Sequence, residues 1–437
     1  MLGFRKILSA ACYGLMTLLA GTAEAQNPLT AEIESGAARL NSQVIAWRRD
    51  IHQHPELGNR EVRTAKLVAD YLRKLGIEVR TGVAHTGVIG VLRGARPGPV
   101  VALRADMDAL PVTEQVDLPF ASRVKAQYNG QETGVMHACG HDNHVAILMG
   151  VAGILAGMRD RLPGTVKFIF QPAEEGAPDG EVGGAEIMIR EGALRDPRPD
   201  AIFALHVWSK ANVGQIAYRS GSLMAAADRL IITVRGRQTH GALPWAGIDP
   251  IVIASQIVMG LQTIVSRQVD VTRAPAVITI GRIQGGIRNN IIPNEVLLDG
   301  TVRTFDPDMR ADIHRRIVQT AQAIAGSAGA EAKVQITSIS PVTANDPALT
   351  RRMLPTLERV AGPANVTISP MVTAAEDFSF FQDEIPGLYI FLGSVSQGIV
   401  AETSPANHSP LYTVDEAVLP LGVRTLSNLA ADYLFGE

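Results

Sequence analysis

Short, mostly apolar runs alternate along this chain with longer segments whose apolar positions recur every three or four residues. Residues 100–103, 166–170, 201–205 and 388–392 read as strands, because short runs this apolar suit strands covered on both faces. Residues 64–75 repeat at helical spacing, and Gly76 supplies a stop. Residues 145–158 are apolar throughout and read as a buried helix, too short for a membrane span of about 20 residues. Strands alternating with helices predict an α/β fold, with a mixed, mainly parallel sheet flanked by helices.

The character changes from about residue 223. Residues 230–234, 276–280 and 296–302 read as strands, and 249–265 and 309–325 as helices. This stretch predicts a second, α+β domain inserted at 223–340. The first domain is then split into 26–222 and 341–437.

Residues 1–25 look like a removable leader: Arg5 and Lys6, an apolar stretch over 7–20, then Ala23-Glu24-Ala25. Cleavage after Ala25 and export to a periplasm are expected, with an uncleaved membrane anchor as the alternative. Without those residues the net charge moves from −3 to −4. That balance gives no electrostatic case for a nucleic-acid or anionic-membrane partner.

The polar residues cluster where strands end. Arg104, Asp106 and Asp108 follow the first run, Gln171-Pro172-Ala173-Glu174-Glu175-Gly176 the second, and His206 the third; a Gly/Ser-rich loop after the fourth leads to His408. In open α/β sheets, sites form outside the carboxyl ends of the strands. One cysteine remains after the leader, Cys139, in His137-Ala138-Cys139-Gly140-His141-Asp142-Asn143-His144. Thiolate, imidazole and carboxylate together suit Zn²⁺ and neighbouring divalent ions. Adjacent side chains diverge, so Glu174 and Glu175 divide their labour, one on metal and one facing a water. Metal-assisted hydrolysis needs that pair of roles. A lone histidine is more often structural, and His52, His54, His85 and His314 are read so; spacing does not place His137 or His144 among direct ligands. Two other readings compete: a binding protein of the same fold without turnover, and a thiol hydrolase using Cys139.

These motifs resemble the binuclear metallopeptidase and amidohydrolase family of hippurate hydrolase, auxin-conjugate amidohydrolases and N-acyl-amino-acid carboxypeptidases. The resemblance runs from Arg49-Asp50-Ile51-His52-Gln53-His54-Pro55-Glu56-Leu57-Gly58 through Arg104-Ala105-Asp106-Met107-Asp108-Ala109-Leu110-Pro111 and the cysteine run to Asn407-His408-Ser409-Pro410. It implies that Cys139, His141, Glu175, His206 and His408 hold two divalent ions (Zn, Mn, Co or Ni), with Cys139 bridging. It implies Glu174 as general base and Asp106 as an orienting residue. In the inserted domain it implies a lid and dimerisation role, with His240 steadying the oxyanion and Asn290 and Arg303 clamping a substrate carboxylate. That histidine often comes from the other subunit in relatives, so a homodimer or higher homo-oligomer is implied. The expected reaction is hydrolysis of the amide of an N-acyl amino acid or short peptide by a metal-activated water.

Overall fold

The computed structural model of the protein describes residues 27–436; the leader and its Ala25 boundary lie outside them. The four apolar runs become the middle of an eight-stranded mixed sheet. Four parallel strands lie side by side there, in the order Pro163–Gln171, Arg96–Asp106, Ala201–Asn212 and Gly387–Val395. Antiparallel pairing adds Gly87–Arg93 and Glu78–Val83 on one flank and Ile216–Tyr218 on the other.

Both faces of this sheet are covered, which is why its central strands are nearly continuously apolar. Leu103, Phe168, Phe203 and Ile390 face a core shared with the helices Thr30–Gln53, Val62–Lys74, His141–Gly157, Pro347–Ala361 and Val418–Phe435. Their neighbours Ala102, Ile169, Ile202 and Tyr389 point the other way, into a core with Gly184–Arg190 and Ser379–Glu384. The helix expected at 64–75 is Val62–Lys74, followed by Gly76 at φ 68°. The one expected at 145–158 begins four residues earlier, at His141. Three long helices escaped the pattern. Thr30–Gln53, for example, buries a stripe that includes Gly36, Arg48 and His52, so its inner face does not read as apolar.

A second sheet of four antiparallel strands has the order Ala276–Gly285, Glu295–Thr304, Ala226–Arg235, Glu331–Ser340. The helices Pro250–Thr263 and Pro307–Ser327 pack on it. Leu230, Ile232 and Val234 meet Ile253, Ile257, Ile313 and Ile317 in a separate core. Asp249 and Asp306 cap the two helices, accepting from the backbone N–H groups of Ile251 and Met309. The first helix continues through a π-helical turn, Ile264–Gln268. The joined segment Pro250–Gln268 is long and apolar enough to cross a membrane by length and composition. Its apolar stripe of Ile253, Ala254, Ile257, Leu261 and Ile264 is instead spent on this core.

Candidate metal centre

The carboxyl ends of the parallel strands deliver the chemistry. Past Pro163–Gln171 the chain turns sharply at Ala173, which is held at φ 49° and donates its N–H to Glu61 over 2.8 Å. That turn sends Glu174 and Glu175 in different directions. His141 is the first residue of its helix, preceded by Gly140 at φ 96°. A Cβ on Gly140 would sit 2.4 Å from a Val207 methyl, so glycine alone lets the Cys139 loop pack against the strand that carries His206. His408 lies in a turn at φ 72°, and its N–H donates to the Ala138 carbonyl over 2.8 Å.

Two groups of donor atoms result, sharing one sulfur. Cys139, His141 and His206 bring their donor atoms within 4.8 Å of one another, and so do Cys139, Glu175 and His408. The His206 Nδ1–H donates to the Val207 carbonyl over 2.7 Å, which leaves the Nε2 lone pair facing the Cys139 sulfur 3.3 Å away. His141 places Nδ1 2.8 Å from the Asp108 carbonyl oxygen, while its buried Nε2 has no hydrogen-bond partner. His408 Nε2 lies 3.0 Å from a Glu175 oxygen. Imidazoles anchored through Nδ1 with a free Nε2 are the arrangement metal ligands adopt. A mixed set of sulfur, nitrogen and oxygen donors fits Zn²⁺ or a similar divalent ion.

The protonation pattern agrees. Burial and the nearby Glu175 and Glu174 carboxylates hold the Cys139 thiol well above its usual range. A thiolate there calls for a cation. Burial disfavours the charged form of His141, but Asp106 and Asp108 outweigh it and push the imidazole up to about 10. Burial, with His144 next in weight, holds His206 well below its ordinary value. Burial and the Glu376, Glu175 and Asp377 carboxylates raise Glu174 well above the normal carboxyl range.

A cavity of about 570 Å³ opens on this centre, lined by Cys139, Glu174, Glu175, His206 and His408 and by Arg303 from the second sheet. Arg303 pairs with no carboxylate among the described residues, and burial lowers its pKa. His240 and Asn290 are brought to each other, not to the cavity. Both are exposed, His240 pairs with Ile291, and the Gly241 N–H donates to the Asn290 carbonyl over 2.8 Å.

His144 is not free to bind metal: its Nδ1 is 2.6 Å from Asp106 and its Nε2 accepts from the Val207 N–H at 2.9 Å. Asp106 therefore holds His144, and lies 3.9 Å from His141 Nδ1. Asp108, not singled out as an orienting residue in the sequence, buttresses the centre more directly. Its carbonyl and one carboxylate oxygen face His141, and the other oxygen accepts from the Glu175 N–H at 3.0 Å. Also missed were Glu376 and Asp377, which line the cavity and bind the buried Arg104 at 2.9 and 3.1 Å. Two acids on a loop before a short helix give no local signal; their partner lies some 270 positions away. His52, His54, His85 and His314 bind acids or carbonyls elsewhere.

The sequence model of Peptidase family M20/M25/M40 matches residues 102–432. The chain belongs to this family. Thermostable carboxypeptidase 1 of Saccharolobus solfataricus is 41% identical over 412 residues, covering 93% of this chain and 99% of that one. N-acetyl-L-cysteine deacetylase of Bacillus subtilis is 37% identical, covering 90% and 89%. Among solved structures, a Bacillus subtilis protein described as a dinuclear metal binding peptidase of the M20 family superposes with a TM-score of 0.75. It is 35% identical and covers 92% of this chain and 100% of its own. This M20 member is accordingly a hydrolase acting on amide bonds.

Proposed function

We propose that this M20 hydrolase is a binuclear metal-dependent amidohydrolase that releases an amino acid from its N-acyl derivative. The observation that carries the reading is the pair of donor groups meeting at one sulfur, with Glu174 beside them. Cys139, His141 and His206 would hold one ion, and Cys139, Glu175 and His408 the other. Bound divalent ions supply an acidified water and a polarised carbonyl. Glu174 accepts the water's proton as the water attacks the amide carbon, and returns it to the amine nitrogen as the C–N bond breaks. Burial and the Glu376 carboxylate raise its pKa in the metal-free chain, and two bound cations would bring it back to the ionised form that a base requires. Arg303 offers the cavity an unpaired guanidinium for the free carboxylate of the amino acid. The similarity to a carboxypeptidase and to an N-acetyl-amino-acid deacetylase supports a substrate that keeps such a carboxylate.

His240 and Asn290 act, in this reading, on the cavity of a second copy, because they lie together on the surface of the inserted layer. The apolar leader supports export. A nucleophilic thiol at Cys139 is disfavoured, since reactive cysteines have lowered pKa values and this one is driven up.

The test compares wild type with Glu174→Ala on a panel of N-acyl amino acids, with metal content measured in both. The variant is expected to keep two ions per chain and lose roughly 10²–10⁴-fold in kcat. An active variant removes Glu174 as the base; a wild type that holds ions and cleaves nothing returns the chain to a binding role.

A further inference from the structure

Asn407 precedes His408 in the last of the shared motifs, and the reaction just described gives it no task. Its side chain nevertheless joins two of the segments that carry ligands, the Cys139 loop and the strand of His206, to the His408 turn. The amide Nδ2 donates to the Cys139 carbonyl at 3.0 Å and to the Val207 carbonyl at 3.3 Å, and lies 4.0 Å from the Cys139 sulfur. The amide oxygen accepts from the Ser209 N–H at 3.2 Å, and the Asn407 N–H donates to the Ser209 hydroxyl at 3.3 Å. These partners fix which way the amide points. Turned over, its oxygen would face two carbonyl oxygens and its NH₂ would face a backbone N–H.

The contacts bear on three of the five ligands. The Val207 carbonyl that takes the Asn407 NH₂ is the same one that anchors His206 Nδ1. The Cys139 carbonyl fixes the residue whose sulfur is shared by both donor groups. His408 itself is 55% exposed at its side chain and stands on a left-handed backbone that non-glycine residues rarely adopt. Besides its own N–H to Ala138 and its Nε2 contact with Glu175, the bonds of Asn407 tie that turn to the centre.

We propose that Asn407 is a positioning residue that holds the His408 turn against the Cys139 loop, and so sets the affinity for the ion shared by Cys139, Glu175 and His408. This rests on the binuclear reading above. The three donors of the other ion are better protected: Cys139, His141 and His206 are buried, His141 is anchored by the Asp108 carbonyl, and the strand carbonyl of Val207 still accepts from His206 when Asn407 is gone. Losing Asn407 therefore loosens one ion much more than the other.

The experiment is a Zn²⁺ titration of chelator-stripped full-length protein, comparing wild type with Asn407→Ala and Asn407→Asp. Aspartate keeps the shape and an acceptor for Ser209 but turns a carboxylate oxygen toward two carbonyls. Both variants are expected to bind the first ion within about threefold of wild type and the second about 10–100-fold more weakly, the usual cost of losing a group that orients a ligand. Either variant binding both ions as wild type does overturns the proposal. Equal weakening at both ions also overturns it, since general loosening of the fold does that. Wild type binding fewer than two ions removes the binuclear reading itself. A wild-type-like second ion in Asn407→Asp alone would assign the role to side-chain shape, against the donor role argued here.

Discussion

The two sheets use charge in opposite ways. At the carboxyl ends of the parallel strands, Arg104, Asp106, His141, His144 and Glu376 are buried and bound to one another or to backbone, and the buried Asp142 is bound to Arg48 and His52. In the antiparallel layer most charged groups stay at the surface, as Arg229 and Asp299 do, or cap helices, as Asp249 and Asp306 do. Asp228, buried between Arg310 and His314, is the exception. The difference follows from coverage. A parallel sheet packed on both faces has only its strand ends left for polar work, and those ends are shielded from water. A sheet packed on one face can leave its charges solvated. Buried charge is therefore concentrated around the candidate metal centre, and the antiparallel layer reaches the cavity mainly through Arg303 and its neighbours.

The largest effect that could break this contrast is on stability. Arg104 is enclosed by Asp106, Glu376, Asp377 and Gln171. Removing one partner of a buried charge cluster leaves the others uncompensated, typically at about 3–5 kcal/mol. Arg104→Ala is expected to lose that much in denaturant unfolding of the metal-free chain. Arg229→Ala, which breaks a half-exposed pair with Asp299, is expected to lose less than about 1 kcal/mol. Equal losses would show that burial does not separate the two regions.

The reading of the sequence followed the same divide. The four central strands, their terminal acids and histidines, and the cysteine run were legible because each signal is local: an apolar run, then a polar break. The α+β layer was legible in three of its four strands and both helices; Glu331–Ser340, which alternates polar and half-buried positions, was not marked. What escaped was non-local. The ring of partners around Arg104 joins residues from 104 to 377, and no spacing along the chain announces it. Asp106 and Asp108 are two apart and look equivalent in sequence. Only the fold shows that one serves His144 and the other His141 and Glu175.

A smaller effect sharpens the contrast through pH. Without metal, His141 is pushed up to about 10 and the Cys139 thiol is held high, so both carry protons at pH 7. An ion must displace those protons, and raising the pH weakens their competition. Affinity therefore increases with pH, by up to about tenfold per unit, or 1.36 kcal/mol, for each proton released. Competition with a chelator from pH 6 to 8, together with calorimetry in two buffers of different ionisation heat, measures the slope and the proton count. A flat profile would mean that the buried charges of the parallel sheet are already set for metal, and that their shifts do no work in binding.

The smallest effect asks whether the two regions are energetically separate at all. Asp306 accepts from the Met309 N–H at 2.8 Å and starts the helix Pro307–Ser327, two residues after the strand Glu295–Thr304 that carries Arg303. Asp306→Ala leaves that N–H unpaired and should cost about 1 kcal/mol. Because Ile313, Ile317 and Ala321 on that helix pack into the separate core of the antiparallel layer, the loss should be confined there. Hydrogen exchange is expected to quicken along Pro307–Ser327 and its sheet while the helix His141–Gly157 stays protected and both ions bind as before. KM for an N-acyl amino acid should rise modestly if the layer's looseness reaches Arg303, with kcat held. Exchange that quickens equally around Cys139 would make the molecule one cooperative unit, and the contrast between its sheets a matter of placement alone.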